Sequence, residues 1–158
     1  MFRKMRRKKQ EISHEECLPI LKAERRGVLS VMGDEGYPYA IPMNFYYEEK
    51  EEKIYFHCAA EGHKIDAVKK CNKGCFTTWN RGYKEEGDWA FHVTSVIAFG
   101  KMKIIDDRSV VMEKLRRLAL KYYPTKEEAE EEISKNGAGP QMIVFHIEHL
   151  TGKRVKEK

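Results

Sequence analysis

His57, His63 and Lys64 fall within eight positions of one another on the stretch Tyr55-Phe56-His57-Cys58-Ala59-Ala60-Glu61-Gly62-His63-Lys64-Ile65-Asp66. Two imidazoles and an ammonium so close together can bind an anion or move a proton. The residues around them say how they would be positioned. Ile54-Tyr55-Phe56 has the aromatic and β-branched composition of a strand. Gly62 permits a tight turn, and Ile65, Ala67 and Val68 give the next residues a helical apolar face. A strand, a turn and a helix start aim free backbone N–H groups and a positive dipole end at one point. A phosphate fits such a point. An ordinary strand–helix connection with a solvated lysine fits the same residues.

Other chemistry is harder to assemble from this chain. Cys58, beside the two histidines, suits either a small buried core residue or a thiol of lowered pKa. His57, Cys58, His63, Cys71 and Cys75 include no pair at a usual zinc-ligand spacing, so no metal is expected. His146 and His149 are expected on opposite faces of one strand, and His14 and His92 as ordinary polar or packing residues. No nucleophile–base pair and no paired-carboxylate site is evident, which argues against hydrolysis. There is no GxGxxG dinucleotide fingerprint either.

At 158 residues the chain is one domain, with 41% hydrophobic and 35% charged residues. Its net charge of +5 is unevenly placed. Arg3, Lys4, Arg6, Arg7, Lys8 and Lys9 crowd one end, and Lys153, Arg154, Lys156 and Lys158 the other. Between them the chain is close to neutral, which argues against a nucleic-acid platform. Residues 1–12 are expected as a basic arm, either solvated, in contact with phosphates, or packed on a partner subunit. Four scattered cysteines suit reduced thiols and a cytoplasmic location, with no secretory leader ahead of them. No apolar run is long enough to span a membrane.

Ser13 and Glu16 form a capping-box pattern for a helix from His14 to about Ala23, although Pro19 should kink or split it. Strands are expected at Gly27–Met32, Tyr37–Tyr47, Lys53–Ala59, Gly74–Asn80, Trp89–Ile105 and Met142–Ile147. Gly33-Asp34-Glu35-Gly36 reads as a hairpin turn. Pro38 and Pro42 place the second strand at an edge or a bulge, where unpaired backbone can face a ligand, and Gly100 marks a bulge in the fifth. Helices are expected at His63–Cys71, at Arg108–Tyr122 behind Asp106 or Asp107, and at Lys126–Ser134 behind Thr125, with a loop at 137–140. Six strands, mostly in hairpins, with helices inserted, make a mainly β fold: a small barrel with flanking helices. The domain is expected over residues 13–150, and 151–158 as a basic tail.

The order of these pieces resembles the flavin-binding split-barrel family of pyridoxamine 5′-phosphate oxidase, and within it the nitroimidazole-resistance (Nim-like) proteins. The resemblance rests on Arg6-Arg7-Lys8, Gly27-Val28-Leu29-Ser30-Val31 and Gly36-Tyr37-Pro38-Tyr39-Ala40-Ile41-Pro42-Met43-Asn44-Phe45. It continues through Ile54 to Ala59 with Gly62-His63-Lys64-Ile65-Asp66, and through Ser95-Val96-Ile97 with Phe99-Gly100-Lys101. It implies a six-stranded antiparallel split β-barrel, a homodimer, and FMN at the subunit interface. By that resemblance Ile41, Pro42, Met43 and Asn44 would lie along the flavin ring. His57, His63 and Lys64, with Ala59 between them, would hold the phosphate, Ser95 would contribute from the long strand, and Trp89 would wall the pocket. His63 would also touch the substrate.

Two departures narrow this expectation. The oxidases proper carry a basic residue on the ring-facing strand, where this chain has Ile41 and Met43, and no arginine segment corresponding to theirs closes the chain. Both argue against oxidation of vitamin B6. The expected activity is reduction of a small organic molecule such as a nitroimidazole. The alternatives are a non-catalytic flavin- or haem-binding module, or a nucleic-acid binder working through its arm.

Overall fold

The structure is a computed structural model that describes residues 1–135 and 139–157. The first two residues of the loop expected at 137–140 and the last residue of the expected tail lie outside the described residues. In chain order the strands are β1 (Glu11–Ile12), β2 (Arg26–Met32), β3 (Pro38–Asn44), β4 (Tyr46–Glu48), β5 (Lys53–Cys58), β6 (Lys73–Trp79), β7 (Phe91–Ile104) and β8 (Gln141–Glu157). The helices are α1 (His14–Ala23), α2 (His63–Lys70), α3 (Arg108–Tyr122) and α4 (Lys126–Lys135).

One antiparallel sheet runs β3-β2-β6-β7-β8-β5-β4, with β1 paired to β8. Its two ends, β3 and β4, are joined in sequence through Phe45, so the sheet curls into a split barrel. This makes eight strands where six were expected. The expected strand Tyr37–Tyr47 divides into β3 and β4, and the short β1 is added. Pro38 and Pro42 do sit on an edge strand, as their missing donors require.

The ordered chain also extends beyond the expected limits at both ends. Residues 151–157, expected as a tail, continue β8 and pair with β7, Thr151 opposite Ile97 and Glu157 opposite Phe91. Gly152 lets β1 and α1 close on that strand, since a Cβ there would collide with Cys17 and Ile12. The amino-terminal arm is pinned through β1, and Phe2 stacks on His149 at 4.6 Å.

Local signals are otherwise realised. The Ser13–Glu16 capping box is present at both bonds. Pro19 is accommodated inside a single helix, exposed, where the carbonyl it leaves unpaired can reach water. Asp107 caps α3, and Thr125 forms a second capping box with Glu128 ahead of α4. The register of β7 on β8 shifts between Phe99 and Gly100, the expected bulge.

Two apolar layers result. Inside the barrel, Phe45, Phe56 and Phe76 meet edge to face at 4.7 and 5.2 Å, with Leu29, Val96, Ala98, Ile143 and Phe145 around them. Outside it, Tyr55 on β5 and Met142 and Val144 on β8 pack against Val111, Leu115 and Ala119 of α3 and Ala129 and Ile133 of α4. The start of β8 is therefore buried on both faces, which is why Met142-Ile143-Val144-Phe145 is continuously apolar. Among the described residues no helix is long and apolar enough to cross a membrane.

Candidate functional site

Where β3 and β5 end, the helical layer stands away from the barrel and leaves a cavity of about 830 Å³. Asn44 closes β3, and His57, Cys58 and Ala59 close β5, on its barrel side. Leu115, Leu118, Ala119 and Tyr122 of α3 face them, with Ile133 and Glu132 of α4 and Pro140 beyond. Arg25, between α1 and β2, stands at the mouth.

Tyr122 ties this region together. Its hydroxyl accepts from the Phe45 N–H at 2.9 Å and lies within hydrogen-bond reach of the carbonyls of Phe45 and Arg25. Lys121 donates to the Phe45 carbonyl at 3.2 Å and sits 3.9 Å over the Phe45 ring. Burial pulls its pKa down to about 8.

Lys64 connects α2 to the strand ends. It is half-buried, with its Nζ 3.3 Å from Met43 Sδ and no carboxylate partner among the described residues. His57 is held below the ordinary imidazole pKa, first by burial and then by Lys64. It is therefore a neutral donor–acceptor at pH 7. Burial raises the Cys58 thiol, although Lys64 opposes the shift. Cys58 is thus a buried core residue and not an activated thiol. Gly62, at φ 120°, begins α2 with no side-chain cap. The first N–H groups of that helix are left without intrahelical acceptors.

The structure thus brings Met43, Asn44, His57, Ala59 and Lys64 to one end of the barrel. Ile41 is half-buried against the core and Pro42 points outward from the edge strand. His63 turns to the other side of α2. It stacks on Tyr39 at 4.2 Å, with Nε2 3.5 Å from Asp34, whose carboxylate also holds Lys70 at 2.9 Å. Of the expected site residues Asn44, His57 and Ala59 line the cavity, whereas Ile41, Pro42, Met43, His63, Lys64, Trp89 and Ser95 do not. Ser95 lies across the sheet from Trp79 and Lys153, and Trp89 is 65% exposed just before β7.

A family model described as pyridoxamine 5′-phosphate oxidase matches residues 13–154. The chain belongs to that family. No curated protein sequence matches it. Among solved structures, a Bacteroides thetaiotaomicron protein assigned to 5-nitroimidazole antibiotic resistance superposes with a TM-score of 0.75 at 20% identity, over 93% of this chain and 87% of that one. The Mycobacterium smegmatis FAD binding protein gives 0.67 at 18% identity, over 94% and 99%. The Azotobacter vinelandii flavocytochrome Anf3 gives 0.75 at 21% identity, over 95% and 71%. At these identities the likeness establishes the split-barrel fold.

The cavity residues that the sequence did not mark as site residues are Arg25, Leu115, Leu118, Tyr122 and Ile133. The apolar stripe of α3 is visible in the sequence, but a stripe that packs on a core and one that walls a cavity have the same 3.6-residue period.

Proposed function

We propose that this protein is an FMN-dependent oxidoreductase that reduces small organic molecules such as nitroaromatics. The observation that carries the reading is Lys64. It is a half-buried cation with no carboxylate partner among the described residues, beside the uncapped start of α2 and close enough to shift the titration of His57 and Cys58. Such a point suits a phosphate. An 830 Å³ cavity with apolar walls and a few convergent polar groups lies within the range expected for a drug-sized molecule. The Mycobacterium smegmatis FAD binding protein and the Azotobacter vinelandii flavocytochrome support a flavin as the cofactor.

The flavin, when bound, supplies the electron transfer. The chain's own residues do the rest. Lys64 and the α2 amides bind the phosphate, with His57 as a hydrogen-bonding partner. The free edge of β3, at Ile41 to Asn44, offers unpaired backbone groups to the ring. His63, exposed on Tyr39, is the side chain we assign to substrate contact and proton delivery.

A homodimer belongs to this reading. Trp79, Phe91, Ile97 and Phe99 of β6 and β7 are each at least 39% exposed, an apolar sheet face that a second copy would cover. Ser95 and Trp89 would join the cofactor from that side. The test is anaerobic. Flavin-loaded protein, reduced chemically and mixed with a nitroimidazole, should reoxidise, and the His63→Ala variant should do so more slowly while keeping its flavin. If the wild type is not reoxidised by any nitro compound or quinone, the protein is a flavin-binding module without turnover.

A further inference from the structure

The helical wall of the cavity has a chemistry of its own. On the barrel side, Asn44 and His57 present polar side chains that bond to no other described residue. Facing them, Leu115, Leu118, Ala119 and Ile133 are apolar. A flat ring system would pack against those helices while its polar edge met the two strand ends.

The mouth carries a fixed cation. The Arg25 guanidinium lies 4.9 Å over the Tyr122 ring, and its Nη2 donates to the Tyr122 carbonyl at 3.2 Å. The Tyr122 hydroxyl in turn donates to the Arg25 carbonyl. Arg25 forms no ion pair with a described carboxylate, so most of its N–H donors remain available. Glu132, the only carboxylate among the described lining residues, belongs to α4. A guanidinium held in place over an apolar cavity matches a planar anionic group such as a carboxylate, because both hydrogen bonds of a bidentate pair can form without ordering the arginine first.

We propose that the cavity between the strand ends and α3 takes a flat, largely apolar molecule bearing one carboxylate, which Arg25 recognises at the mouth. As the substrate end of the flavin site, this role rests on the function proposed above; the binding step does not.

The experiment compares 2-naphthoate with its neutral isostere 2-naphthamide by calorimetry on the full-length protein, as purified and after flavin reconstitution. The naphthoate should bind about tenfold tighter or more, the scale of a hydrogen-bonded charge pair. Arg25→Gln should erase that preference, and Leu118→Trp, which fills the apolar wall, should abolish binding of both probes. Thermal unfolding of each variant confirms that it folds. Equal binding of the two probes, or a preference that survives Arg25→Gln, overturns the proposal, as does undiminished binding by folded Leu118→Trp. Flavin content is read separately from the absorption spectrum. Protein that binds naphthoate but no flavin keeps this inference and loses the flavin reading, whereas the reverse result loses only this inference.

Discussion

The inside of the barrel and its helical cover are held by different physics. The barrel interior is aromatic and aliphatic, with Phe45, Phe56, Phe76, Leu29, Ile143 and Phe145 all at 1% exposure or less. The cover has a smaller apolar seam and leans on charge. Lys114 of α3 is 4% exposed, and its ammonium meets Glu51 and, at 3.9 Å, Glu48. Glu48 also takes Arg117 and the Tyr46 hydroxyl, and Glu51 takes the Tyr55 hydroxyl at 2.6 Å. Lys114 first, then Tyr55, holds the Glu51 carboxyl down at about 2. Charge pairs act at a few fixed points, whereas apolar burial rewards every contact along a surface. The far end of α3 is held as well, by Tyr122 and Lys121 at Phe45, and the cavity opens along Leu115, Leu118 and Ala119.

The contrast can be broken most severely from the barrel side. Phe56→Ala deletes a fully buried ring packed on Phe76 and should cost about 3–5 kcal/mol in urea unfolding. A loss under about 1.5 kcal/mol would mean that the interior is far less tightly packed than its burial implies. Glu48→Gln attacks the cover. Lys114 keeps Glu51, so the loss is limited to hydrogen bonds to a charged group, about 1.5–3 kcal/mol. Its distinctive sign is local, with faster amide exchange in α3 and α4 than in β7.

The smallest effect is a pH dependence. Lys121 has a folded pKa of about 8, below its ordinary value, so the ammonium is disfavoured in the folded state. Between the folded and unfolded pKa values the unfolded chain binds more protons, and this residue's contribution therefore improves as pH rises from about 8. Lys121→Met removes the titration. The variant should be more stable than wild type at pH 7, and the gap should narrow by pH 9.5. A constant gap would show that Lys121 does not titrate in that range.

What was legible in the sequence was local. The Ser13–Glu16 box, the Asp107 cap, the edge prolines and the Gly100 bulge each act through neighbours in the chain, and each appears where its residues stand. The strand–turn–helix at His57 to Lys64 was legible for the same reason. The length of β8 was not, because its far half is a run of charged residues, Lys153, Arg154, Lys156 and Glu157, behind Gly152, whose role is to admit Cys17 and Ile12 from elsewhere in the chain. The division of 37–47 into two strands was hidden too, since only closure of the sheet puts β3 and β4 on opposite edges. The cavity depends on how far α3 stands from β5, a distance that no single segment encodes.

Lys64 offers the most direct test of the whole reading. FMN added to flavin-free protein, titrated by fluorescence quenching, should bind the wild type and bind Lys64→Ala about ten- to a hundredfold more weakly, the loss of one charge-assisted contact to phosphate. The variant's unfolding curve, unchanged apart from flavin linkage, shows that the fold is intact. Equal affinity for FMN in the two proteins, or no flavin binding by the wild type, would contradict the site.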